Sequence, residues 1–486
     1  MKIHIPRVLC ALAGVAMFVV SCARNPVTGR TELALISEED EIELGRQAAE
    51  EAMRTIGVVD DQGLQSYVQG VGSRIATQSE RPNLPWTFRV LDDPTPNAFA
   101  FPGGYIFVTR GMLGLMDSEA ELATVLGHEI GHVTARHAVN RISEAQVAQI
   151  GLGVGTVLIP GLGGLGGVLG TGLELIFLEN SRDDEREADA LGFGYALERG
   201  YDVREMDDVF VSLDQIQQAS GRSPLPTWAS THPSPGDRVA AIQERIQALE
   251  GPVDSLRIGR AEYMGEIEGL AWGDDPRNGF VEDGVFYHPG LAFQVSFPQG
   301  WQVQNLASAV VAGPSSRDAA VEVSIVSGSP QQAASAFLNR QGIQAGETRS
   351  TTINGLPAVV SSFQASTQQG AVRGISAFVA HGGDTYAVIG LATPGRFNAY
   401  QNTLQQVIGS FRPIRDRSIL AVQPLRIDVV QLADAMTVDE FLRRHPSEIG
   451  RAEVLLINQI RSTNARLPEG QLFKRVIRGR VEAASL

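Results

Sequence analysis

The chain has 486 residues, of which 43% are hydrophobic and 20% charged, and its formal net charge is -15. This length and balance predict two to four folded domains with substantial apolar cores. The acidic charge argues against a nucleic-acid binder, which would present a basic face, so no nucleic-acid partner is expected.

The N-terminus has the pattern of a secretion signal. Basic residues precede an uncharged run over 8–20, which is too short for an ordinary membrane-spanning helix. The run ends in VVSC, which resembles a bacterial lipobox. We expect residues 1–21 to be removed and lipid to be attached to Cys22, which would be the only cysteine of the mature chain. The alternative is a plain signal peptide with an incidental cysteine. By resemblance to Gram-negative lipoproteins, Ala23 favours the outer membrane, on its periplasmic side.

The next elements are predicted from local patterns. Residues 37–57 predict a helix capped by Ser37, and 60–78 predict a second helix. The stretches 86–93 and 104–111 are rich in β-branched and aromatic residues and predict strands. Strong helical patterns then follow over 117–146 and 181–200, and Ser181 can cap the second of these.

A glycine-rich stretch separates those two helical regions. Residues 151–170 include nine glycines and no charge. Membrane contact is one interpretation of this composition. The alternative is a flap beside the functional site, because that much glycine together with Pro160 makes a poor membrane-spanning helix.

The motif LGHEIGHVTARH, residues 126–137, predicts a metal site. On a helix, His128 and His132 are four residues apart and share a face, so both can bind one Zn²⁺ ion through imidazole nitrogen. Glu129 can lean over the open position of the metal and take a proton from a zinc-bound water, whose pKa falls toward about 7. This is the chemistry of the HExxH pattern, and one zinc ion per chain is expected. His137 should turn away from the shared face, as a surface residue or a support for a ligand.

A catalytic zinc requires a third protein ligand. The metzincin pattern would need a histidine where this chain has Ala138, so that class is excluded. In the helix predicted from 181, Glu185 and Asp189 share one face while Glu187 points elsewhere. One of the pair can bind zinc while the other accepts a hydrogen bond from a ligating imidazole. Alternatively, these acids belong only to a solvated first turn.

Five segments together resemble a known family: NPVTGR, NAFAFPGGYIFVTRGML, LGHEIGHVTARH, SRDDEREADALG and THPSPGDRVAAI. In this order, they resemble the zinc metallopeptidases that include HtpX and the CAAX prenyl endopeptidases, and in particular the BepA-like periplasmic branch. The resemblance implies a mostly helical, gluzincin-type domain with a small sheet. It also implies Glu185 as the third zinc ligand and Asp189 as the group that orients a ligating histidine.

Two further segments are candidates for the active site. A strand around Asn97, Ala98 and Phe99 could hold substrate as an added strand near the scissile bond, and the alternative is an ordinary hairpin strand. His232 could stabilise the oxyanion of the tetrahedral intermediate, or it could close the site as a fourth zinc ligand. Arg238 should pair with an acid near the site.

The C-terminal half shows no cluster of catalytic residues. Residues 256–282 are rich in Gly, Asp and Glu and predict a linker, and 283–414 predict an α+β binding or docking domain. The segment FQVSFPQGWQV in that domain resembles the start of a PsbP-like domain. Residues 418–486 resemble a degenerate LysM module, in which Ala435, Met436 and Thr437 replace the usual Gly-Asp-Thr. The resemblance implies peptidoglycan or another cell-wall partner, whereas the replaced Gly-Asp-Thr opening argues against glycan binding.

The sequence as a whole predicts a multidomain α+β protein. Its predicted parts are a signal peptide over 1–21, a metalloprotease domain over 22–255, a linker over 256–282, an accessory domain over 283–414 and a LysM-like unit over 418–486. The expected function is zinc-dependent hydrolysis of misfolded or stalled cell-envelope proteins. The alternatives are an envelope-protein assembly factor with latent proteolysis, and a wall-binding lipoprotein with an inactive protease domain.

Overall fold

The computed structural model describes residues 22–29, 31–33, 35–151, 180–219, 228, 232, 235–249, 253–367 and 370–479. The predicted signal peptide, and all but the first residue of the glycine-rich stretch 151–170, lie outside these residues.

The helices are, in chain order, α1 (Glu38–Ile56), α2 (Gln62–Ala76), α3 (Arg110–Leu115), α4 (Glu119–Thr134), α5 (His137–Gly151), α6 (Arg182–Glu198), α7 (Met206–Ala219), α8 (Pro235–Gln247), α9 (Arg260–Ile267), α10 (Pro330–Leu338), α11 (Phe397–Ser410), α12 (Arg417–Leu420), α13 (Val438–Arg444) and α14 (Arg451–Ile457). None of these helices, as far as the structure describes them, is long and apolar enough to cross a membrane.

The strands are β1 (Cys22–Arg24), β2 (Thr31–Leu33), β3 (Thr87–Leu91), β4 (Ala98–Phe101), β5 (Tyr105–Thr109), β6 (Ala271–Trp272), β7 (Phe280–Glu282), β8 (Val285–His288), β9 (Phe293–Ser296), β10 (Gln302–Asn305), β11 (Ala309–Gly313), β12 (Ala319–Val326), β13 (Ile343–Ile353), β14 (Leu356–Thr367), β15 (Gly370–His381), β16 (Asp384–Ala392), β17 (Arg412–Pro413), β18 (Leu425–Gln431), β19 (Met436–Thr437), β20 (Arg466–Leu467) and β21 (Leu472–Arg478). The chain is therefore multidomain, with helices and several separate sheets.

The predicted helix starts are confirmed at two serines. The side chain of Ser37 accepts a hydrogen bond from the Asp40 backbone at the start of α1. At the start of α6, Ser181 and Asp184 form a reciprocal capping box, which satisfies two backbone N–H groups that the first turn would leave unpaired. Helix α4 also begins at a serine, Ser118.

The helical stretch predicted over 117–146 is interrupted. Helix α4 ends at Thr134 and α5 begins at His137, and Arg136 between them has a left-handed φ of 59°. This conformation is unfavourable for a residue with a side chain, so surrounding contacts must hold it. The Arg136 guanidinium donates to Glu41 at 3.0 Å and to the Ile36 carbonyl at 3.1 Å. The break turns α5 back toward α4.

A small three-stranded sheet lies beside α4. Its order is β3-β5-β4, with β3 parallel and β4 antiparallel to the central strand β5. The two strands predicted from the sequence correspond to β3 and β5. Among the described residues β4 pairs with β5 alone, so it is the edge strand of this sheet, and α4 packs against it.

Helices α4 and α6 pack closely because glycines face each other across their contact. A methyl group added to Gly192 would lie 2.5 Å from the backbone nitrogen of His128, and one added to Gly127 would lie 3.0 Å from the Gly192 carbonyl oxygen. Real side chains do not tolerate the first distance. The close approach brings the side chains of α6 within reach of the histidines of α4.

The C-terminal region shares a hydrophobic core with α4. Ile130 of α4 belongs to one buried cluster that also contains Ile427, Ile457 and Val476. Within residues 418–486, the strands β18 and β21 enclose the two helices α13 and α14 in chain order.

The linker predicted over 256–282 is wrong. Tyr263, Met264 and Ile267 on α9 are fully buried in the core that contains α4, and β6 pairs with β18. The polar composition of this stretch suggested a solvated segment. Its few apolar residues instead share one helix face, and that face packs into the core.

Residues 283–414 contain an antiparallel sheet of seven strands, in the order β10-β11-β12-β16-β15-β14-β13. Helix α11 covers one face, where Leu404 packs with Val388, and α10 covers the other face, where Phe337 packs with Phe378. The alternation of side chains along β15 and β16 supplies a buried face to each helix. The α+β prediction for this region is confirmed, whereas its resemblance to PsbP-like domains stays a prediction.

Candidate metal centre

Four buried side chains from three parts of the chain converge on one point. His128 and His132 come from α4, Glu185 comes from α6, and His232 precedes α8. Each offers a nitrogen or oxygen atom, and these atoms all lie within 4.8 Å of one another. The HExxH motif predicted His128 and His132 as ligands, the family resemblance implied Glu185, and His232 was left with two alternative roles.

The distances within this cluster suit a tetrahedral metal ion. Nε2 of His128 lies 3.0 Å from Nε2 of His132. The Glu185 carboxylate lies 3.3 Å from His132 Nε2 and 3.6 Å from His128 Nε2. Ligand atoms about 2.0–2.2 Å from a tetrahedral zinc ion lie roughly 3.3–3.5 Å from each other. The cluster can therefore hold a metal ion, and imidazole with carboxylate is a ligand set that zinc accepts.

Asp189 and Arg238 orient His128. The Asp189 carboxylate lies 2.9 Å from Nδ1 of His128, on the side of the ring away from the cluster. Arg238 donates two hydrogen bonds to Asp189, at 2.6 and 2.8 Å, and also lies 2.7 Å from Glu185. A carboxylate at Nδ1 favours the tautomer whose Nε2 lone pair faces the cluster. The expectation that Arg238 pairs with an acid at the site is confirmed.

The pKa values of the three carboxyl groups in the cluster shift in different directions. Burial alone would raise the pKa of Glu185, but the charges of His232 and Arg238 outweigh it and hold that pKa well below its usual range. At Asp189, burial would also raise the pKa, but the Arg238 guanidinium outweighs burial and lowers that pKa. At Glu129, in contrast, burial prevails and raises the pKa of the carboxyl group. The shifts at Glu185 and Asp189 therefore favour the ionised form, whereas the shift at Glu129 favours the protonated form.

Glu129 and His232 present unpaired atoms to the site. Among the residues that the structure describes, Glu129 Oε1 and His232 Nε2 are buried without a hydrogen-bond partner, and the two atoms lie 3.6 Å apart. Buried polar atoms are normally paired, so an orphaned pair beside a metal-binding cluster points to a reacting group as the missing partner. The geometry places Glu129 where the HExxH pattern predicted it.

His137 supports the second histidine of the motif. Its Nδ1 lies 2.8 Å from Nδ1 of His132, and its Nε2 lies 3.2 Å from the Glu187 carboxylate. Of the two predicted alternatives, the surface position is wrong, because His137 is buried. The straight-helix geometry used for the prediction fails at Arg136, where the break returns His137 to the same side.

Asn180 is a site residue that the sequence reasoning missed. Its amide donates to the Glu185 carboxylate at 2.7 Å, and its oxygen accepts from Arg141 at 2.5 Å. A buried amide beside a predicted ligand suits a residue that fixes the carboxylate. The one signal in the sequence was its position immediately before the Ser181 cap.

A cleft opens beside the cluster and is lined on one side by β4. Phe99 lines it as predicted, but Asn97 and Ala98 do not, and the lining continues through Ala100, Phe101 and Pro102. Ala98 is fully buried in the core that contains α4. A strand is present over Ala98–Phe101, and the residues that line the cleft run from Phe99 to Pro102. Whether substrate binds there stays a prediction.

Comparisons with known proteins agree with this site. Residues 63–246 match the model of Peptidase family M48. A beta-barrel assembly-enhancing protease of Yersinia pestis is 27% identical over 235 residues, 46% of this chain and 48% of the relative. The protein of that name from Escherichia coli K12 is 25% identical over 276 residues, 55% of each chain. The mitochondrial metalloendopeptidase OMA1 of Schizosaccharomyces pombe is 32% identical over 226 residues, 45% of this chain and 65% of the relative.

The match covers only part of each protein. The chain spans about half the length of the assembly-enhancing proteases it matches. Among solved structures, the cyanobacterial PsbP of Synechocystis covers 28% of this chain at 13% identity, with a TM-score of 0.23, which supports no conclusion. The family model includes both histidines of the motif, Glu129 and Glu185, and the family is zinc-dependent. Residues 63–246 therefore contain a Peptidase family M48 domain.

Proposed function

We propose that this protein is a zinc-dependent endopeptidase. In this proposal His128, His132 and Glu185 bind one zinc ion per chain, and Glu129 is the general base. The observation that carries the proposal is the buried, unpaired Oε1 of Glu129 beside a cluster of four potential ligands. The gluzincin assignment rests on the same set, two histidines of one helix and a glutamate of a later one.

The side chains at the site are proposed to have different roles in peptide hydrolysis. A bound zinc ion would polarise the substrate carbonyl and lower the pKa of a water molecule. Glu129 takes the proton from the attacking water at Oε1 and transfers it to the leaving amine, which its raised pKa favours. Asp189, with Arg238, holds His128 in the ligating tautomer. Their role is positioning, because neither reaches the orphaned atoms.

For His232 we propose stabilisation of the oxyanion through Nε2, which is buried and unpaired near Glu129. The alternative is a fourth ligand that closes the site through Nδ1, which lies 3.0 Å from the Glu185 carboxylate. The two roles predict opposite results for His232→Ala. Loss of an oxyanion donor lowers kcat by about 10²–10³-fold, whereas loss of a closing ligand raises turnover.

The substrate is proposed to bind as an additional strand along β4. This strand is at the edge of its sheet, and Phe99 to Pro102 line the cleft beside the cluster. Backbone hydrogen bonding at a sheet edge accepts many sequences, which suits unfolded segments of proteins.

The location and the substrates are also proposals. Lipid on Cys22 would anchor the protein to the inner face of the outer membrane, in the periplasm. Misfolded or stalled envelope proteins would be its substrates, and the names of the assembly-enhancing relatives support this. The proposed units are a signal peptide over 1–21, a protease domain from residue 22, an accessory domain over 283–414 and a LysM-like unit over 418–486 that contacts peptidoglycan.

The test compares residues 22–486 with the Glu129→Gln variant, both loaded with zinc, on an unfolded model protein. Removal of a general base should lower kcat/KM by about 10²–10⁴-fold. Metal analysis should still find one zinc ion per chain in the variant, because Glu129 is not a proposed ligand. Equal cleavage by the two proteins would refute the assignment.

A second candidate function is assembly of envelope proteins, with proteolysis secondary. It is favoured by the separate core of residues 283–414, which lies outside the family match. Rescue of an envelope defect by the Glu129→Gln form would support it. Failure of that form, where the wild-type chain rescues, would count against it.

A further inference from the structure

The cleft beside the metal cluster contains an arginine whose hydrogen bonding is incomplete. Arg141 lies on α5 and lines the cleft together with residues 99–101 of β4. Its Nη1 donates to the side-chain oxygen of Asn180 at 2.5 Å and makes a longer contact of 3.5 Å with the Asp184 carboxylate. Neither of these bonds uses Nη2, and among the described residues Nε is buried without a hydrogen-bond partner. The edge of the guanidinium formed by Nε and Nη2 is therefore unused in the part of the chain that the structure describes.

This unused edge has the geometry that a carboxylate requires. A guanidinium is planar and rigid, and its Nε–H and Nη2–H bonds point in nearly the same direction. The two oxygens of one carboxylate can accept both bonds, which gives a pair of parallel, charge-assisted hydrogen bonds. A buried donor without a partner is unusual in a folded protein, so the edge indicates a group that binds there.

The charge of Arg141 is also incompletely balanced. Its contact with Asp184 is long, and that carboxylate already belongs to the capping box of α6. Burial lowers the pKa of the Arg141 guanidinium, and the charges of Asp184 and Glu185 offset this only in part. The other arginine of the lining, Arg136, is paired with Glu41 at 2.9 Å. An anionic group of a substrate would therefore gain more from Arg141 than from Arg136.

Arg141 lies close to the metal centre. The amide nitrogen of Asn180, whose oxygen accepts from Arg141, donates to the Glu185 carboxylate at 2.7 Å. A single amide group thus separates the guanidinium from a proposed zinc ligand. Glu129 lines the same cleft. A peptide bound along β4 with its scissile bond at Glu129 therefore has residues near that bond within reach of Arg141.

We infer that Arg141 is a specificity residue that binds a carboxylate of the substrate, so that the enzyme favours peptide bonds close to an acidic side chain or to the C-terminus of a chain. This inference rests on the proposed peptidase function and names its substrate class. The formal net charge of -15 repels acidic peptides in general. A preference for them would therefore arise from a local site and not from the overall field of the protein.

Peptide binding to the zinc-loaded Glu129→Gln form of residues 22–486 tests the inference without turnover. Three acetylated and amidated peptides carry Glu, Gln or Lys at every second position in an alanine background, and a fourth is the Gln peptide with a free C-terminal carboxylate. Calorimetry should find the Glu peptide at least about tenfold tighter than the amidated Gln and Lys peptides. The same gain for the free Gln peptide alone would identify the chain terminus as the source of the carboxylate. Equal affinity of all four peptides, or no detectable binding of either carboxylate peptide, would overturn the inference.

Two variants locate the effect at the guanidinium. Arg141→Gln should remove the advantage of the carboxylate peptides, while the amidated Gln peptide stays within about twofold and one zinc ion remains bound per chain. Arg182→Gln removes the same charge at an exposed position outside the cleft lining, and it should change nothing. Equal weakening of all peptides by Arg141→Gln would overturn the inference, because it would show that Arg141 only supports Asn180.

A third variant covers the case in which Arg141→Gln fails to fold by circular dichroism or loses zinc. Arg141→Lys keeps the charge but lacks the planar pair of donors, so it should reduce the advantage to about threefold or less. An undiminished advantage in a folded variant would overturn the inference and indicate that the carboxylate binds the zinc ion instead.

The results separate the inference from the function on which it rests. Cleavage of an unfolded protein by the wild-type chain, together with equal affinities for the four peptides, would retain the peptidase and reject the carboxylate site. A preference for carboxylate peptides that depends on Arg141, without any cleavage, would retain the site and reject the peptidase.

Discussion

Helix α4 carries a buried polar cluster at each end, and the two differ in origin. Toward its C-terminus lies the metal centre, built around His128, Glu129 and His132. At its N-terminus, Lys474 of β21 is fully buried, lies 2.7 Å from Asp117, and donates to the Met116 carbonyl at 2.8 Å. His128, Glu129 and His132 of the first cluster come from one short motif. The second cluster joins residues more than three hundred positions apart in the sequence, and no local pattern predicts it.

The charges of the N-terminal cluster explain how it remains buried. Burial raises the pKa of Glu121 well above its usual range, and the neighbouring Asp117 adds to the effect. The Gln459 amide donates to the Glu121 carboxyl group at 2.6 Å, while Asp117 pairs with Lys474 and with Arg260. The cluster anchors the C-terminal region to the start of the metal-binding helix. The comparison predicts that changes at one end affect stability and that changes at the other affect metal binding.

The largest effect is expected at Lys474. Lys474→Met keeps the size of the side chain but leaves Asp117 and two carbonyls short of a partner, so the free energy of unfolding should fall by about 3 kcal/mol. Urea unfolding measures this loss of stability. The kcat/KM of the folded fraction should change less than about twofold. Arg444→Met breaks an ion pair in which both side chains are more than half exposed, and should cost about 0–1 kcal/mol. A similar loss in both variants would show that the buried pair does not anchor the region.

At the metal end, Arg238→Lys should weaken zinc binding more than folding. Lysine cannot form the two hydrogen bonds to Asp189, so His128 loses its fixed orientation. Competition with a chelator should show zinc affinity about 10–100-fold lower, as for other groups that support metal ligands. Arg245→Lys, on the same helix α8, is the matched control. Unchanged zinc affinity would remove Arg238 from the positioning role.

Gly192→Ala affects both properties, since it lies at the contact that joins α6 to α4. The added methyl group would meet the His128 backbone, and overpacking of this kind costs about 1–3 kcal/mol. Zinc affinity should fall as well, because Glu185 moves with α6. Gly194→Ala has open space on the same helix and should be neutral or stabilising by up to about 1 kcal/mol. Equal changes in stability and zinc affinity for Gly192→Ala and Gly194→Ala would contradict the close approach of α6 to α4.

The smallest effect is expected at Glu268, whose carboxylate accepts a hydrogen bond from the Val429 backbone of β18 at 2.7 Å. Burial raises its pKa from 4.5 to about 7. The folded state therefore binds this proton more tightly than the unfolded state, so its contribution to stability is complete below pH 4.5 and is lost as the pH rises through about 7. With allowance for partial exposure, the loss is about 1 kcal/mol.

Urea unfolding at pH 5 and pH 8 measures this contribution. The difference in unfolding free energy between the two pH values should shrink in Glu268→Gln by that amount. Glu262→Gln, exposed on the same helix, should leave the difference unchanged. A pH dependence that survives Glu268→Gln intact would assign it to other groups.

Much of the metal centre could be predicted from the sequence, because its information is local. His128, Glu129 and His132 are related by helix periodicity alone, and Glu185 and Asp189 are related in the same way on α6. The helix caps at Ser37 and Ser181, and strands β3 and β5, also follow from short patterns. Only the resemblance to a family suggested that Glu185 meets the histidines, because two helices far apart in sequence have no local relation.

The tertiary structure decided the rest. It returns His137 to His132 through the break at Arg136, brings Asn180 to Glu185, and packs the expected linker into the core around α9. It also sets which residues of β4 face the cleft and buries Lys474 against Asp117. Helix and strand periodicity are properties of neighbouring residues and can be read along the chain. Contacts between distant segments depend instead on the shape and charge of whole surfaces, and these exist only once the chain has folded.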